Sequence, residues 1–381
     1  MSEQQSQQSN TPFSPLSSVL KHLEALVSFD TQNPPRNIQS DSDIFAYFKQ
    51  HLPGFSLQIL DAGDGCLSLL ATRGKPEILF NFHIDTVPVA KGWTSDPFEL
   101  QVTETTATGL GACDIKGAAA CMLSAVNQCD GAIALLFSSD EEHGNSAAVK
   151  QFLATEHGFD KVIVAEPTQA QAIFAHRGIQ SARALFFGES GHASQARAIT
   201  DSAIHKATHW CSDAVNWVKS QSFQFETLTG LPFNIGKIDG GIKANMIAAQ
   251  CEIAFGFRPL PGQDSTQLLN LIFDYAKQQS AINDADCQLI EGFKGPTLPA
   301  ANQDFDEAIE KAKALANQYS LPFGNPVNFW TEASLFSQSG LTALVYGPGN
   351  IEQAHTANEW VSLAQLAEVE QSYLNILAKQ I

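Results

Sequence analysis

Five short runs of apolar or small residues, each leading to an acidic or histidine position, constrain this 381-residue chain more than any other feature. Glu77-Ile78-Leu79-Phe80-Asn81-Phe82 runs into His83 and Asp85, and Gly109-Leu110-Gly111-Ala112-Cys113 runs into Asp114. Ala132–Phe137 precedes Asp140-Glu141-Glu142, Lys161–Ala165 precedes Glu166, and Ala343–Gly347 is followed further on by His355. Four of the runs have the length and the branched or aromatic content of buried parallel strands. Open α/β sheets bind ligands beyond the carboxyl ends of their strands, so residues far apart in sequence can meet there. Two histidines and several carboxylates at such a place point to a metal site.

The rest of the chain fits that frame. Length alone favours two domains. Apolar residues at helical spacing predict a first helix over 14–28, with Ser14-Pro15 as cap and first turn, and a second over 41–51. Then strands 78–82, 133–137 and 161–165 alternate with helices 116–128 and 146–156, which implies an α/β fold with a mostly parallel sheet flanked by helices. The texture changes after His176-Arg177-Gly178. Strands 179–187, 233–239, 248–258 and 287–293, with helices 203–220 and 265–279, predict an inserted α+β sandwich domain. The expected division is 1–176 and 294–381 for the catalytic domain and 177–293 for the insertion. A helix over 305–318, a strand over 343–346 and a final helix from Leu363 complete the first domain.

Composition removes several classes of function. The formal charge of −18 disfavours nucleic acid and anionic membranes as partners. No apolar run is long enough to span a bilayer. Met1–Phe13, rich in Gln and Ser, reads as a disordered leader without the features of a signal peptide, so a cytoplasmic location is expected. Seven scattered cysteines without a Cys-x-x-Cys pair argue against a disulfide framework or a thiolate zinc site. Gly109-Leu110-Gly111 lacks the third glycine and the helix context of a dinucleotide fingerprint.

His83 and Asp85, two apart on a strand, face the same way, which suits a ligating imidazole and the carboxylate that orients it. Asp114 can bridge two cations through its two oxygens, or equally cap the following helix. Asp140-Glu141-Glu142 sets three carboxylates side by side. Glu142 is expected to bind metal and Glu141 to serve as general base and later acid. An acidic loop or a first helical turn is the plain alternative. Glu166, before Pro167, and His355, after Gly347-Pro348-Gly349, complete two oxygen- and nitrogen-rich sites that suit Zn²⁺, with Co²⁺ or Mn²⁺ as substitutes.

Phe82-His83-Ile84-Asp85-Thr86-Val87-Pro88, Gly111-Ala112-Cys113-Asp114-Ile115-Lys116-Gly117, Ser139-Asp140-Glu141-Glu142, Ala165-Glu166-Pro167-Thr168 and the region of His355 together resemble the dinuclear zinc aminoacylase and metallopeptidase family, which includes acetylornithine deacetylase and succinyl-diaminopimelate desuccinylase. The resemblance implies two Zn²⁺ per subunit, one on His83, Asp114 and Glu166, the other on Asp114, Glu142 and His355, with Glu141 as the base. It further implies a homodimer in which His192, in Gly188–Ser194, reaches the partner's site, and Arg258, in Phe257–Gly262, which grips the substrate's α-carboxylate. Asn245 is a further implied substrate contact.

Within the family the chain is most similar to acetylornithine deacetylase and its relative N-acetylcitrulline deacetylase, and the segments His176–Ile179, Gly240–Ala248 and Phe329–Ser334 look especially like the citrulline-type branch. The implied reaction is removal of acetyl from an N-acetyl amino acid, N2-acetyl-L-ornithine of arginine biosynthesis first, N-acetyl-L-citrulline second. A desuccinylase or dipeptidase with the same metal chemistry and a catalytically silent homologue are the rivals. Glu332 is a candidate reader of the substrate's tip.

Overall fold

The computed structural model describes residues 16–36, 38–143 and 145–380. Its long strands are Ser56–Asp61 (β1), Leu67–Arg73 (β2), Leu79–His83 (β3), Ile133–Ser138 (β4), Lys161–Val164 (β5), Ile179–Phe187 (β6), Phe233–Gly240 (β7), Gln250–Phe257 (β8), Cys287–Gly295 (β9) and Thr342–Val345 (β10). Six of them form one sheet in the order β1-β2-β4-β3-β5-β10. The predicted runs β4, β3, β5 and β10 pair in parallel. Every residue of β3 and β4 is buried, as expected of strands covered on both faces.

Period-two alternation divides these side chains between two cores. Phe80 and Phe82 of β3 and Leu135 and Phe137 of β4 pack with helices Ser17–Ser28, Gly117–Val126 and Leu363–Ala378. Leu79, Ala134 and Leu136 pack the other way, against helices Ala147–Leu153 and Ala333–Gln338. The middle helix on the first face, Gly117–Val126, is buried throughout. Its Ala118-Ala119-Ala120 run keeps it thin enough to lie deep under its neighbours.

The hairpin β1–β2 was not anticipated from sequence. It joins antiparallel at β2–β4 and makes the sheet mixed. No residue of β1 is fully buried, and its apolar side chains lack the continuous run that marks the central strands. The helix expected from Lys116 begins at Gly117, after a kinked turn over Ala112–Lys116, and the helix expected over 146–156 is trimmed to Ala147–Leu153. The proposed leader and the Ser14-Pro15 cap lie outside the described residues.

A second, antiparallel sheet runs β7-β8-β6-β9. Helices Ala203–Ser220 and Ser265–Gln279 have the bounds read from sequence and cover one face of it. Trp210 is fully buried there, beside Phe186, Phe255 and Phe273. The Asp264 side chain accepts the Gln267 amide at 2.9 Å and so caps the second helix. Among the described residues no helix is long and apolar enough to cross a membrane.

The Phe137 ring is stacked against Phe48 at 4.0 Å and Phe82 at 5.6 Å between centroids. Removing it leaves a cavity in the core directly beneath the strand that leads to Asp140-Glu141-Glu142. Phe137→Ala is expected to cost roughly 3–5 kcal/mol, measured as the shift in urea unfolding of the metal-free protein.

Candidate metal centre

Strand ends deliver the polar side chains. His83 is the last residue of β3, Asp140 follows two residues after β4, and Glu166 two after β5. All three leave the carboxyl edge of neighbouring parallel strands. Asp114 arrives from the kinked turn before helix Gly117–Val126, and His355 from the loop after β10.

His83 Nε2 lies 3.0 Å from Asp114 Oδ1 and 4.0 Å from Glu166 Oε1. The other oxygen of Asp114, Oδ2, is 3.4 Å from His355 Nε2, which sits 3.0 Å from Glu142 Oε2. Potential ligand atoms of His83, Asp114 and Glu166 all lie within 4.8 Å of one another, as do those of Asp114, Glu142 and His355. His83, Glu141 and Glu142 form a third such group. The structure thus brings together all five residues expected to bind metal, with Asp114 between the two histidines.

Charge in this cluster is tightly opposed. Burial raises the Asp114 carboxyl, but hydrogen bonds with His355 and His83 outweigh it and hold the group well below the usual range. Hydrogen bonds to Asp114 and Glu142 push His355 up to about 11. Burial, reinforced by neighbouring carboxylates, moves Glu141, Glu142 and Glu166 upward. The buried Oε1 of Glu166 has no hydrogen-bond partner among the described residues. A divalent cation relieves this crowding, and oxygen and imidazole donors suit it; the residues fit the group that the sequence implied.

Asp85 holds the centre by a different contact from the expected one. His83 Nδ1 meets the Asp85 backbone carbonyl at 3.0 Å, while the nearer carboxylate oxygen is 3.7 Å away. The carboxylate instead accepts the amides of Glu141 at 3.2 Å and Glu142 at 3.0 Å, and Asn33 Nδ2 at 2.8 Å. It therefore fixes the turn that presents Glu141 and Glu142. Asn33 was missed in the sequence because it lies in a loop before two prolines, with no apolar run to flag it.

A cleft of about 650 Å³ opens over the cluster. Glu141, Glu142, Glu166 and His355 form its floor, and Ile179, Arg258, Phe293 and Trp330 are among its walls. The Arg258 guanidinium has no hydrogen bond or ion pair among the described residues. His192 and Asn245 do not line this cleft. They are exposed neighbours, His192 pairing with Met246 and the Asn245 carbonyl accepting the Ala193 amide at 3.1 Å. Glu332 is 1 % exposed and sits outside the cleft lining, its Oε2 taking Asn81 Nδ2 at 2.9 Å and Ser138 Oγ at 3.1 Å. It braces β3 against β4 instead of meeting a substrate's tip. Glu359, also unforeseen, accepts the amides of Gly111, Cys113 and Asp114.

The sequence profile of peptidase family M20/M25/M40 matches residues 79–379. The chain is 50% identical over 366 residues to N-acetyl-L-citrulline deacetylase of Xanthomonas campestris pv. campestris, covering 95% of this chain and 98% of that one. It is 32% identical over 329 residues to acetylornithine deacetylase of Photorhabdus laumondii, covering 82% and 83%. In fold it is similar to aminopeptidase PepT of Bacillus cereus, with TM-score 0.70, 18% identity, and 95% and 98% of the two chains covered.

Burial, with the Asp140 charge, pushes Glu332 up to about 7 from 4.5, while the Asn81 hydrogen bond pulls the other way. The folded metal-free chain then keeps this proton over a range where the unfolded chain has lost it, so stability falls as pH rises between those values. Glu332→Gln removes that dependence. Relative to wild type it should gain on the order of 3 kcal/mol between pH 4 and pH 8, read from urea unfolding at both pH values.

Proposed function

The chain belongs to peptidase family M20/M25/M40, and from that premise we propose that it is a metal-dependent amidohydrolase releasing acetate from an N-acetyl amino acid, N-acetyl-L-citrulline before N2-acetyl-L-ornithine. The ordering reverses the one drawn from sequence. It rests on one observation: identity to the citrulline enzyme is 50% over nearly all of both chains, against 32% to the ornithine enzyme. The cleft is consistent with it. Among the described residues, and apart from the ligand cluster and Glu141, its lining contains no carboxylate to meet ornithine's terminal ammonium, and an unpaired charge there is costly.

Two divalent cations at the paired sites, zinc in our reading, would polarise the scissile carbonyl and lower the pKa of the attacking water. The chain's own groups do the remainder. Glu141 shares the cleft floor with the ligand cluster, and its backbone amide is held by Asp85. From there its carboxylate accepts the proton of the attacking water and then passes it to the leaving amine. Arg258, with no counter-ion among the described residues, receives the substrate's α-carboxylate through its planar fork. His192, exposed and away from its own chain's cleft, acts in the cleft of a second copy, donating to the developing oxyanion with Asn245 beside it. The active form is thus a homodimer, the inserted domain runs over 177–293, and the protein works in the cytoplasm.

Three outcomes test this. Purified enzyme with zinc or cobalt should show a kcat/KM for N-acetyl-L-citrulline at least ten times that for N2-acetyl-L-ornithine; the opposite ratio reverses the substrate assignment. Glu141→Ala should bind metal as wild type does while losing about 10²–10⁴ in kcat, scored by metal analysis beside turnover. Mixed dimers of Glu141→Ala and His192→Ala subunits should recover activity absent from either parent, because one of the two clefts then carries both groups. Verified mixed dimers with no recovered turnover rule out the histidine acting between subunits.

A further inference from the structure

We propose that Glu359 is a positioning residue that sets Asp114 and His355 in register, so that one buried side chain governs the binding of both cations. The inference rests on the two-metal reading above. It begins with the turn that carries Asp114. Gly111 has φ +77°, and Asp114 and Ile115 depart from helical angles inside the turn. A Cβ at Gly111 would lie 2.7 Å from Thr86 Cγ2, so only glycine fits. A chain bent in this way leaves amides without secondary-structure partners, and buried amides left unpaired are costly.

Glu359 takes three of them. Its Oε2 accepts Gly111 N–H at 2.9 Å, and its Oε1 accepts Cys113 N–H at 2.8 Å and Asp114 N–H at 2.9 Å. Both oxygens accept N–H bonds, three in all, which ties the side chain directly to the backbone of the turn. The side chain is 1 % exposed, so water does not compete. The buried ammonium of Lys116, bonded to the Phe29 carbonyl at 3.0 Å, supplies positive charge nearby.

Glu359 is itself anchored. Its carbonyl accepts the Gly109 amide at 3.0 Å, and the following Trp360 pairs with Thr108 in a short antiparallel ladder. It also lies four residues after His355, on the same segment. One carboxylate therefore ties the Asp114 turn to the His355 loop, across the 3.4 Å approach of Asp114 Oδ2 to His355 Nε2. Because the opposite oxygen of Asp114 faces His83, a displaced turn disturbs both candidate sites at once.

Substitutions separate this role from simple filling of space. Glu359→Gln keeps the shape and one acceptor oxygen, but turns an N–H₂ toward an amide that also donates. Glu359→Ala leaves all three amides unpaired. The test is metal affinity of the chelated full-length chain, by competition of Zn²⁺ with a chromophoric chelator, alongside the absorption spectrum of the Co²⁺ form and a thermal unfolding curve. Loss of an outer partner weakens metal binding by about 10–100-fold. Glu359→Gln should show that loss and an altered Co²⁺ spectrum while still unfolding cooperatively, with turnover rising again in excess Zn²⁺. Wild-type affinity and spectrum in Glu359→Gln overturn the proposal, and they do so even if Glu359→Ala fails to fold. A wild-type chain that takes up no second equivalent instead overturns the two-metal reading on which it rests.

Discussion

Four carboxylates, those of Asp114, Glu141, Glu142 and Glu166, crowd one place, with the imidazoles of His83 and His355 set against them. Like charges at this range repel strongly where water is scarce. Packing must therefore hold the ligand cluster in place against its own electrostatics. Its rigidity comes from the sheet below: β3 and β4 are buried along their whole length, and their side chains are locked between two packed faces. Preorganised ligands are what a fully packed, parallel sheet can offer at its carboxyl edge.

Around that centre the same device recurs. Asp85 grips the amides of Glu141 and Glu142, and Glu359 grips those of Gly111, Cys113 and Asp114. Glu332 binds Asn81 in the middle of β3 and Ser138 at the end of β4. In each case a buried acidic side chain accepts from backbone or side-chain donors on the segments that carry the ligand cluster. The acidic character of the site thus extends one layer deeper than its ligands. Fixed dipoles and hydrogen bonds in this outer layer decide how far the inner groups can drift, which matters because ligand misplacement weakens both binding and catalysis.

The sequence revealed the parts whose signal is local. Continuous apolar runs marked β3, β4, β5 and β10, and the residues just past them were the ones the structure gathers. Long amphipathic helices such as Ala203–Ser220 were equally legible, since period and length suffice to define them. What escaped depended on distant partners. β1 has no fully buried face of its own and joins the sheet only by pairing with β2. Glu359 looks in sequence like any surface acid, because its three amide partners lie more than two hundred residues earlier. Asp85 was placed correctly beside His83, but which of its atoms would face the ring depended on the path of the backbone after β3. Glu332 was suspected for its chemistry, but it lies buried outside the cleft lining, bonded to Asn81 and Ser138.

The order of strands also bears on how the molecule comes into being. β5 lies between β3 and β10, yet Thr342–Val345 is synthesised only after the whole second sheet. While the ribosome is still making that intervening stretch, β5 offers a bare, apolar flank with unpaired backbone groups, the kind of surface that recruits foreign strands. Release of the C-terminal segment closes that flank and, in the same event, supplies His355 and Glu359. A chain that ends before Thr342 therefore lacks the strand that covers β5 and, with it, two residues of the candidate metal centre and its support, His355 and Glu359.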